Sequence, residues 1–263
     1  MTQPTILALD TSTKACSVAL LHQGRVTLNH QMTPQTHANL LLAMIQQTMA
    51  DAEVSSKQID VLAFGEGPGA FTGIRIASGA IQGLALGWDK PVIAISSLAA
   101  MARAGLAELS FAEEKNPLKV NWIALMDARM KEVYWQQGSC QLDGEKWQET
   151  QAEMLSPIEI EERLAQCIAQ QHEAFDQTKG QSILLVVGDI VAEYPNLVAQ
   201  VCAAEDKGVI WCEQLPSADA MVHLAAQKID QAHGVDEALP KPVYLRNHVA
   251  DTIAERKAKA LQG

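Results

Sequence analysis

The 263-residue chain contains no run of 18 apolar residues, so no segment reads as a membrane-spanning helix. Its start, Met1-Thr2-Gln3-Pro4, lacks the basic and apolar regions of a signal peptide. A cytoplasmic chain with no membrane attachment is therefore expected. Cysteines are few, odd in number and scattered (Cys16, Cys140, Cys167, Cys202, Cys212), and no Cys-x-x-Cys occurs. That excludes a disulfide framework and a zinc cluster and leaves reduced thiols. The seven histidines form no His-x-x-x-His, and no Gly-x-Ser-x-Gly is present, so motifs for metal or serine-nucleophile catalysis are missing. Positive charge is in short supply, with 20 Lys/Arg against 31 Asp/Glu. Residues 1–100 are near neutral, and the acidic excess falls on the rest. Without a basic stripe for phosphates, the isolated chain is not expected to bind nucleic acid directly.

What is present describes a globular protein. Apolar residues make up 48% and charged residues 19%, a balance that supports a packed core. The length allows one large domain or two modest lobes. Ile6–Asp10, Cys16–Leu21 and Val26–His30 read as three short strands, with turns at Thr11–Lys14 and around Gly24. Thr36–Ala50 has helical periodicity, Ile59–Phe64 is an apolar strand, Gly65–Gly73 a glycine-rich loop and Ile74–Trp88 a helix. Val92–Ile95 and a helix over Ser97–Leu109 complete a mixed α/β lobe, residues 1–109. The polar stretch Ser110–Lys119 is the expected connection to a second, acidic lobe, residues 110–263. There Val120–Met126 and Val133–Gln137 flank an Asp127-Ala128-Arg129 turn, with a further turn at Asp143-Gly144. A helix from Pro157 to about Gln171, a strand at Ile183–Val187 and a late helix over Ala218–Ala232 follow, the last able to pack back on the first lobe. Each half opens with a strand, an Asp-led turn and a strand, which suggests two related lobes.

Three features carry chemistry or contact. The first is Gly65-Glu66-Gly67-Pro68-Gly69-Ala70-Phe71-Thr72-Gly73-Ile74-Arg75, between a strand and a helix. It is no Walker loop, because it lacks lysine. A dinucleotide fingerprint would need a carboxylate after the next strand, where Ser96-Ser97 stand. A tight strand-to-helix connection is the plainer alternative. The second is Asp10-Thr11-Ser12-Thr13, a carboxylate and hydroxyls in a turn suited to a phosphate and its magnesium, though such residues also dominate ordinary turns. The third is a pair of helices. Gly79, Gly83 and Gly87 stand four residues apart, each about 1 kcal/mol less favourable than alanine in a helix interior, so close packing must compensate. On the preceding helix, Leu40, Leu41, Met44 and Ile45 with Ala38, Leu42, Thr48 and Met49 cover an apolar arc of about 200°, twice the usual core-facing stripe. Half of that arc serves the lobe's own core, and the remainder meets a partner or is buried within the chain.

The stretches Ile6-Leu7-Ala8-Leu9-Asp10-Thr11-Ser12, Gly67-Pro68-Gly69-Ala70-Phe71-Thr72-Gly73-Ile74-Arg75-Ile76 and Pro242-Val243-Tyr244-Leu245-Arg246 together resemble the TsaB (YeaZ) family of the bacterial tRNA threonylcarbamoyladenosine system. The resemblance implies a two-lobed actin-like, sugar-kinase and Hsp70 fold, each lobe built on a βββαβα unit. It also implies a scaffold that binds the catalytic paralogue TsaD together with the ATPase TsaE, and that pairs with itself when alone. Relatives that catalyse carry a His-x-x-x-His where this chain reads Ser96-Ser97-Leu98-Ala99-Ala100-Met101. Nucleotide-binding relatives have glycines where it reads Asp127-Ala128-Arg129 and Gly188-Asp189. Hence no intrinsic cofactor is expected, and at most weak ATP or ADP with magnesium at a complex boundary. On this view Leu40, Leu41, Met44, Ile45, Gly79 and Gly83 contact the partner, and a charge at Leu41 or Gly83 abolishes the complex while the fold survives. The alternative is a small-molecule kinase or ATPase of the same fold working through Asp10 to Thr13.

Overall fold

Two stretches of the chain fold through the same order of elements. In the first, β1 (Ile6–Asp10), β2 (Ala15–His22) and β3 (Arg25–Met32) precede α1 (His37–Asp51), β4 (Val61–Gly67), α2 (Phe71–Trp88), β5 (Val92–Ser96) and α3 (Ser97–Glu108). In the second, β6 (Lys119–Asp127), β7 (Val133–Gln141) and the short β8 (Gln148–Glu149) and β9 (Glu153–Leu155) come first. They lead into α4 (Pro157–Gln177), β10 (Ser182–Gly188), α5 (Pro195–Cys202), β11 (Val209–Glu213) and α6 (Ala218–Gln227). The computed structural model describes residues 3–32, 36–109, 119–178, 180–234, 236 and 240–246. Most of the expected connection Ser110–Lys119 lies outside them.

The sheets run β3-β2-β1-β4-β5 and β11-β10-β6-β7-β8, with β9 also on β7. In both, the first strand of the repeat is central, its meander lies to one side and the two later parallel strands to the other. This duplicated plan is the two-lobed actin-like architecture. The first unit reads βββαβαβα and the second ββββαβαβα, its third strand being replaced by the short β8 and β9; both end with a strand and a helix beyond the expected βββαβα. The β2–β3 turn is Gln23-Gly24, both with positive φ, the two-residue form whose twist matches its strands. Parallel β1–β4 and β4–β5 pairs require crossovers, supplied by α1 and α2. In α4, Pro157 occupies the first turn and Ser156 and Glu159 cap each other reciprocally.

The layers are α1 and α2, the first sheet, α3 with α6, the second sheet, then α4 and α5. The central layer is exchanged between repeats. Helix α6 lies on β1, β2 and β4 of the first sheet, whereas α3 packs on β6 and β10 of the second. Leu98, Met101 and Ala102 of α3 share one buried cluster with Met221, Val222 and Leu224 of α6. Burial of the leucine, methionine and valine side chains among these is worth about 1.5–3 kcal/mol each, so the lobes are welded rather than hinged on a linker. Polar ties reinforce the seam: Ser96 Oγ donates to Gln136 Oε1 at 2.6 Å, and Ala218 N to Ser17 Oγ at 3.0 Å.

Several boundaries differ from expectation: α4 runs on to Gln177 rather than about Gln171, and β7 to Gln141 rather than Gln137. Strand β4 extends to Gly67 and α2 begins at Phe71, which shrinks the glycine-rich loop to Pro68–Ala70. The late helix ends at Gln227, with a separate short 3-10 turn at Ile229–Gln231. Helix α5 and strand β11 were not expected at all.

Candidate functional site

The Asp10–Thr13 turn is sealed by the Gly-Pro-Gly segment. Asp10 Oδ1 accepts hydrogen bonds from Ser12 N (3.0 Å) and Ser12 Oγ (2.9 Å), and Oδ2 accepts one from Ser97 Oγ at 3.4 Å. Ala70 N donates to Ser12 O at 2.7 Å, and Thr11 Oγ1 to Gly73 O at 2.7 Å. A Cβ on Gly65 would collide with the Asp10 carboxylate, one on Gly69 with Ser12 O, and one on Gly73 with Thr11 O. The glycines are there because the two segments touch backbone to backbone. Gly65 and Gly67 lie inside strand β4, so no dinucleotide loop is formed. Asp10, Thr11, Ser12 and Thr13 are all buried, and burial lifts the Asp10 carboxyl from 3.8 to about 6 against the pull of its hydrogen bonds from Ser12 and Ser97.

The second-lobe turn is equally unlike a phosphate cradle. Arg129, Met130 and Lys131 all hold positive φ, of 64°, 55° and 63°, where glycine or asparagine would be at ease. Asp189 Oδ1 accepts from Asp127 N at 3.1 Å, and burial pushes the Asp189 carboxyl upward. Between the lobes lies a cleft of about 400 Å³ lined by Lys14, His30, Glu108, Asp189, Glu213 and Asp219, among others. Carboxylates outnumber cations there. The one turn suited to a phosphate is closed, and the carboxylates of the cleft disfavour an anion there. Among the described residues no group of three or more His, Cys, Asp or Glu is placed to hold a metal, and no helix is long and apolar enough to cross a membrane.

The C-terminal segment 240–246 straps both lobes. Pro240 O accepts from Ser78 Oγ (2.9 Å) and Gln82 Nε2 (2.5 Å), and Val243 N donates to Glu66 O at 2.7 Å. Arg75 stacks 3.7 Å over the Phe71 ring and its Nε donates to the Tyr244 hydroxyl at 2.8 Å. Arg246 donates to Ala128 O (2.9 Å) and Arg129 O (3.2 Å) and pairs with Glu132 at 2.6 Å. Thr72 sits exposed in the first turn of α2. The Pro242–Arg246 motif thus clamps α2 to the second-lobe turn, a role its composition does not disclose.

On the outer face the structure divides the residues expected at a partner interface. Leu41, Met44 and Ile45 point into the first-lobe core and Leu40 is half-buried beside them. The expectation that a charge at Leu41 spares the fold is corrected accordingly. Gly79, Gly83 and Gly87 are exposed, and a Cβ on any of them meets nothing within 4 Å. Beside them Leu86 is 73% exposed. An apolar groove of about 420 Å³ between α1 and α2 is lined by Leu42, Met49, Leu84 and Trp88 among others. Leu86 escapes a search for glycine periodicity, but its place three residues after Gly83 puts it on the same stripe.

A family model described as TsaD, tRNA N6-adenosine threonylcarbamoyltransferase, matches residues 28–254. The tRNA threonylcarbamoyladenosine biosynthesis proteins TsaB of Haemophilus influenzae and Escherichia coli are 38% and 35% identical to this chain, each over 93% of it and over 94% and 96% of their own lengths. The chain belongs to the TsaB (YeaZ) family. A solved structure of YeaZ from Pseudomonas aeruginosa agrees, with 30% identity and a TM-score of 0.66 over 92% of this chain and 100% of that one. A second Pseudomonas aeruginosa structure, described as an uncharacterized protein similar to peptidase YEAZ, has 32% identity and a TM-score of 0.69 over the same shares. The shared name of the curated relatives ties the family to tRNA threonylcarbamoyladenosine biosynthesis.

Proposed function

We propose that this chain is the non-catalytic scaffold of the tRNA threonylcarbamoyladenosine machinery, binding and activating the catalytic paralogue TsaD together with TsaE in the cytoplasm. One observation carries the reading. Helix α2 turns an exposed small-residue stripe, Gly79, Gly83 and Gly87, outward beside Leu86 and the apolar α1–α2 groove. Interior Gly79 and Gly83 weaken the helix by about 2 kcal/mol relative to alanine, and nothing among the described residues occupies the space they open. A helix of another protein laid along the stripe would use it. The same face pairs two copies when TsaD is absent. The sealed Asp10 turn and the acidic cleft support a chain with no nucleotide site of its own, and they weigh against the kinase or ATPase alternative.

The test is co-purification with tagged TsaD. Gly83→Arg, which meets open space, is expected to abolish the complex and the self-pairing while thermal unfolding stays unchanged. Undiminished recovery of TsaD by Gly83→Arg would overturn the reading. Calorimetric titration with ATP and magnesium checks the alternative, which requires micromolar binding that Asp10→Ala removes.

A further inference from the structure

We propose that the interlobe cleft is the docking site for the chain's own basic segment Arg256-Lys257-Ala258-Lys259-Ala260-Leu261, which lies beyond the described residues. Leu261 packs on the apolar wall of the cleft, and the three cations meet its carboxylates. This contact is made within one chain and does not depend on TsaD.

The cleft has two kinds of wall. Leu28, His30 and Met32 line it from β3, and as alternate residues of a strand they share one face. Val26, next in that row, packs on the buried cluster between the sheets, whereas Leu28 and Met32 run on past it and stay 47% and 53% exposed. Ala104 and Ala107 of α3 and Leu215 continue the apolar surface. Around it stand Glu108, Asp189, Glu213 and Asp219, with Lys14 and His30 as the basic groups. Among the described residues Glu108, Asp189 and Glu213 form no ion pair, and Asp219 has only the His223 imidazole at 4.0 Å. An apolar wall rimmed by unneutralised carboxylates selects an occupant that is both oily and cationic.

The chain supplies such a segment and leads it off from the right place. Three of its 20 Lys/Arg fall within residues 256–259, and residues 256–261 hold no acid. The last described residue is fastened beside the cleft. Arg246 Nη2 donates to Ala128 O at 2.9 Å, and the adjacent Asp127 N donates at 3.1 Å to Oδ1 of Asp189 in the cleft wall. Ten residues lead from Arg246 to Arg256, a reach of about 15 Å even at the helical rise and about 33 Å extended. The cleft encloses about 400 Å³, room for a few side chains rather than for a folded partner. A tethered segment meets its site at an effective concentration of about a millimolar, so even an intrinsic Kd of about 0.1 mM fills the cleft about nine-tenths of the time.

Zero-length carbodiimide cross-linking of the full chain at low protein concentration, followed by peptide mapping of the monomer band, tests the proposal. Lys257 or Lys259 is expected to be joined to Glu108, Asp189, Glu213 or Asp219, with a yield that collapses in about 1 M salt, where the Debye length falls to about 3 Å. Hydrogen exchange on the full chain gives an independent reading. Arg256→Glu, Lys257→Glu and Lys259→Glu together should speed exchange of the amides around 28–32 and 213–217 by about tenfold and leave those of α4 and β10 unchanged. Adding Glu213→Lys to that variant should slow the exchange again. Segment lysines joined only to carboxylates outside the cleft, joined only in a dimer band, or not joined at all would each overturn the proposal. So would exchange at 28–32 and 213–217 that stays within about twofold of wild type in the charge-reversed chain.

Discussion

Asp10 offers the sharpest test of the sealed turn. Its carboxyl is fully buried under Gly65, and burial raises it from 3.8 to about 6. The native state therefore holds the proton more tightly than the unfolded chain does. Below pH 3.8 both states are protonated and nothing is lost. As pH rises from 3.8 to about 6 the unfolded chain ionises first and stability falls, and above about 6 the loss is constant. At ~1.4 kcal/mol per pH unit the full penalty is about 3 kcal/mol. Asp10→Asn keeps an oxygen for Ser12 N and Oγ and cannot ionise. It should be more stable than wild type by about 3 kcal/mol at pH 8, with the gain shrinking towards zero near pH 4. Urea unfolding followed by fluorescence of the five tryptophans gives the difference between the two proteins at each pH, so the remaining carboxylates cancel. An asparagine variant less stable than wild type at pH 8, or a gain that does not vary between pH 4 and 7, would refute the account of a carboxylate buried at a loss.

Leu41→Asp buries a charge in the first-lobe core and should unfold the protein at ambient temperature, seen by circular dichroism, where Gly83→Arg leaves the spectrum unchanged. Gly73→Ala drives a methyl group into the Thr11 carbonyl and is expected to lower stability by about 2–4 kcal/mol in urea titration, whereas Gly79→Ala, with open space around it, should raise it by up to about 1 kcal/mol. Burial pushes the thiols of Cys16 and Cys140 up to about 11 and about 12. A thiol reagent at pH 8 should therefore modify exposed Cys202 first and reach Cys16 and Cys140 only on unfolding, as peptide mapping would show.

Much of the fold is legible in short-range pattern. The run Ile6–Leu9 ended by Asp10, the turn at Gly24 and the proline-led start of α4 each announce themselves locally. Helix α5 and strand β11 do not. The helix is eight residues long, and the strand is a five-residue edge whose Ile210 and Trp211 are only half-buried. The site is harder to read because its meaning is long-range. Glycine spacing in the 65–73 segment is plain, but the space those glycines leave is filled by Asp10, Thr11 and Ser12, more than fifty residues earlier. Leu41 and Leu42 are neighbours on one broad apolar arc, and only the position of the first sheet decides that Leu41 is core and Leu42 surface. The strap shows the same limit: Tyr244 and Arg246 are visible as a motif, yet their partners Arg75 and Ala128 are set by tertiary structure.

The exchange of α3 and α6 between sheets shapes how the molecule is made. A ribosome releases α3 before any strand of the sheet that α3 will cover has been translated, while the inner face of the first sheet waits for a helix near the other end of the message. Neither half can finish alone, so the nascent chain carries uncovered Leu98 and Met101 until α6 emerges. Maturation is thus a late, single event that joins both ends of the polypeptide, and a prematurely terminated product lacking α6 is left as a ready client for chaperones and proteases.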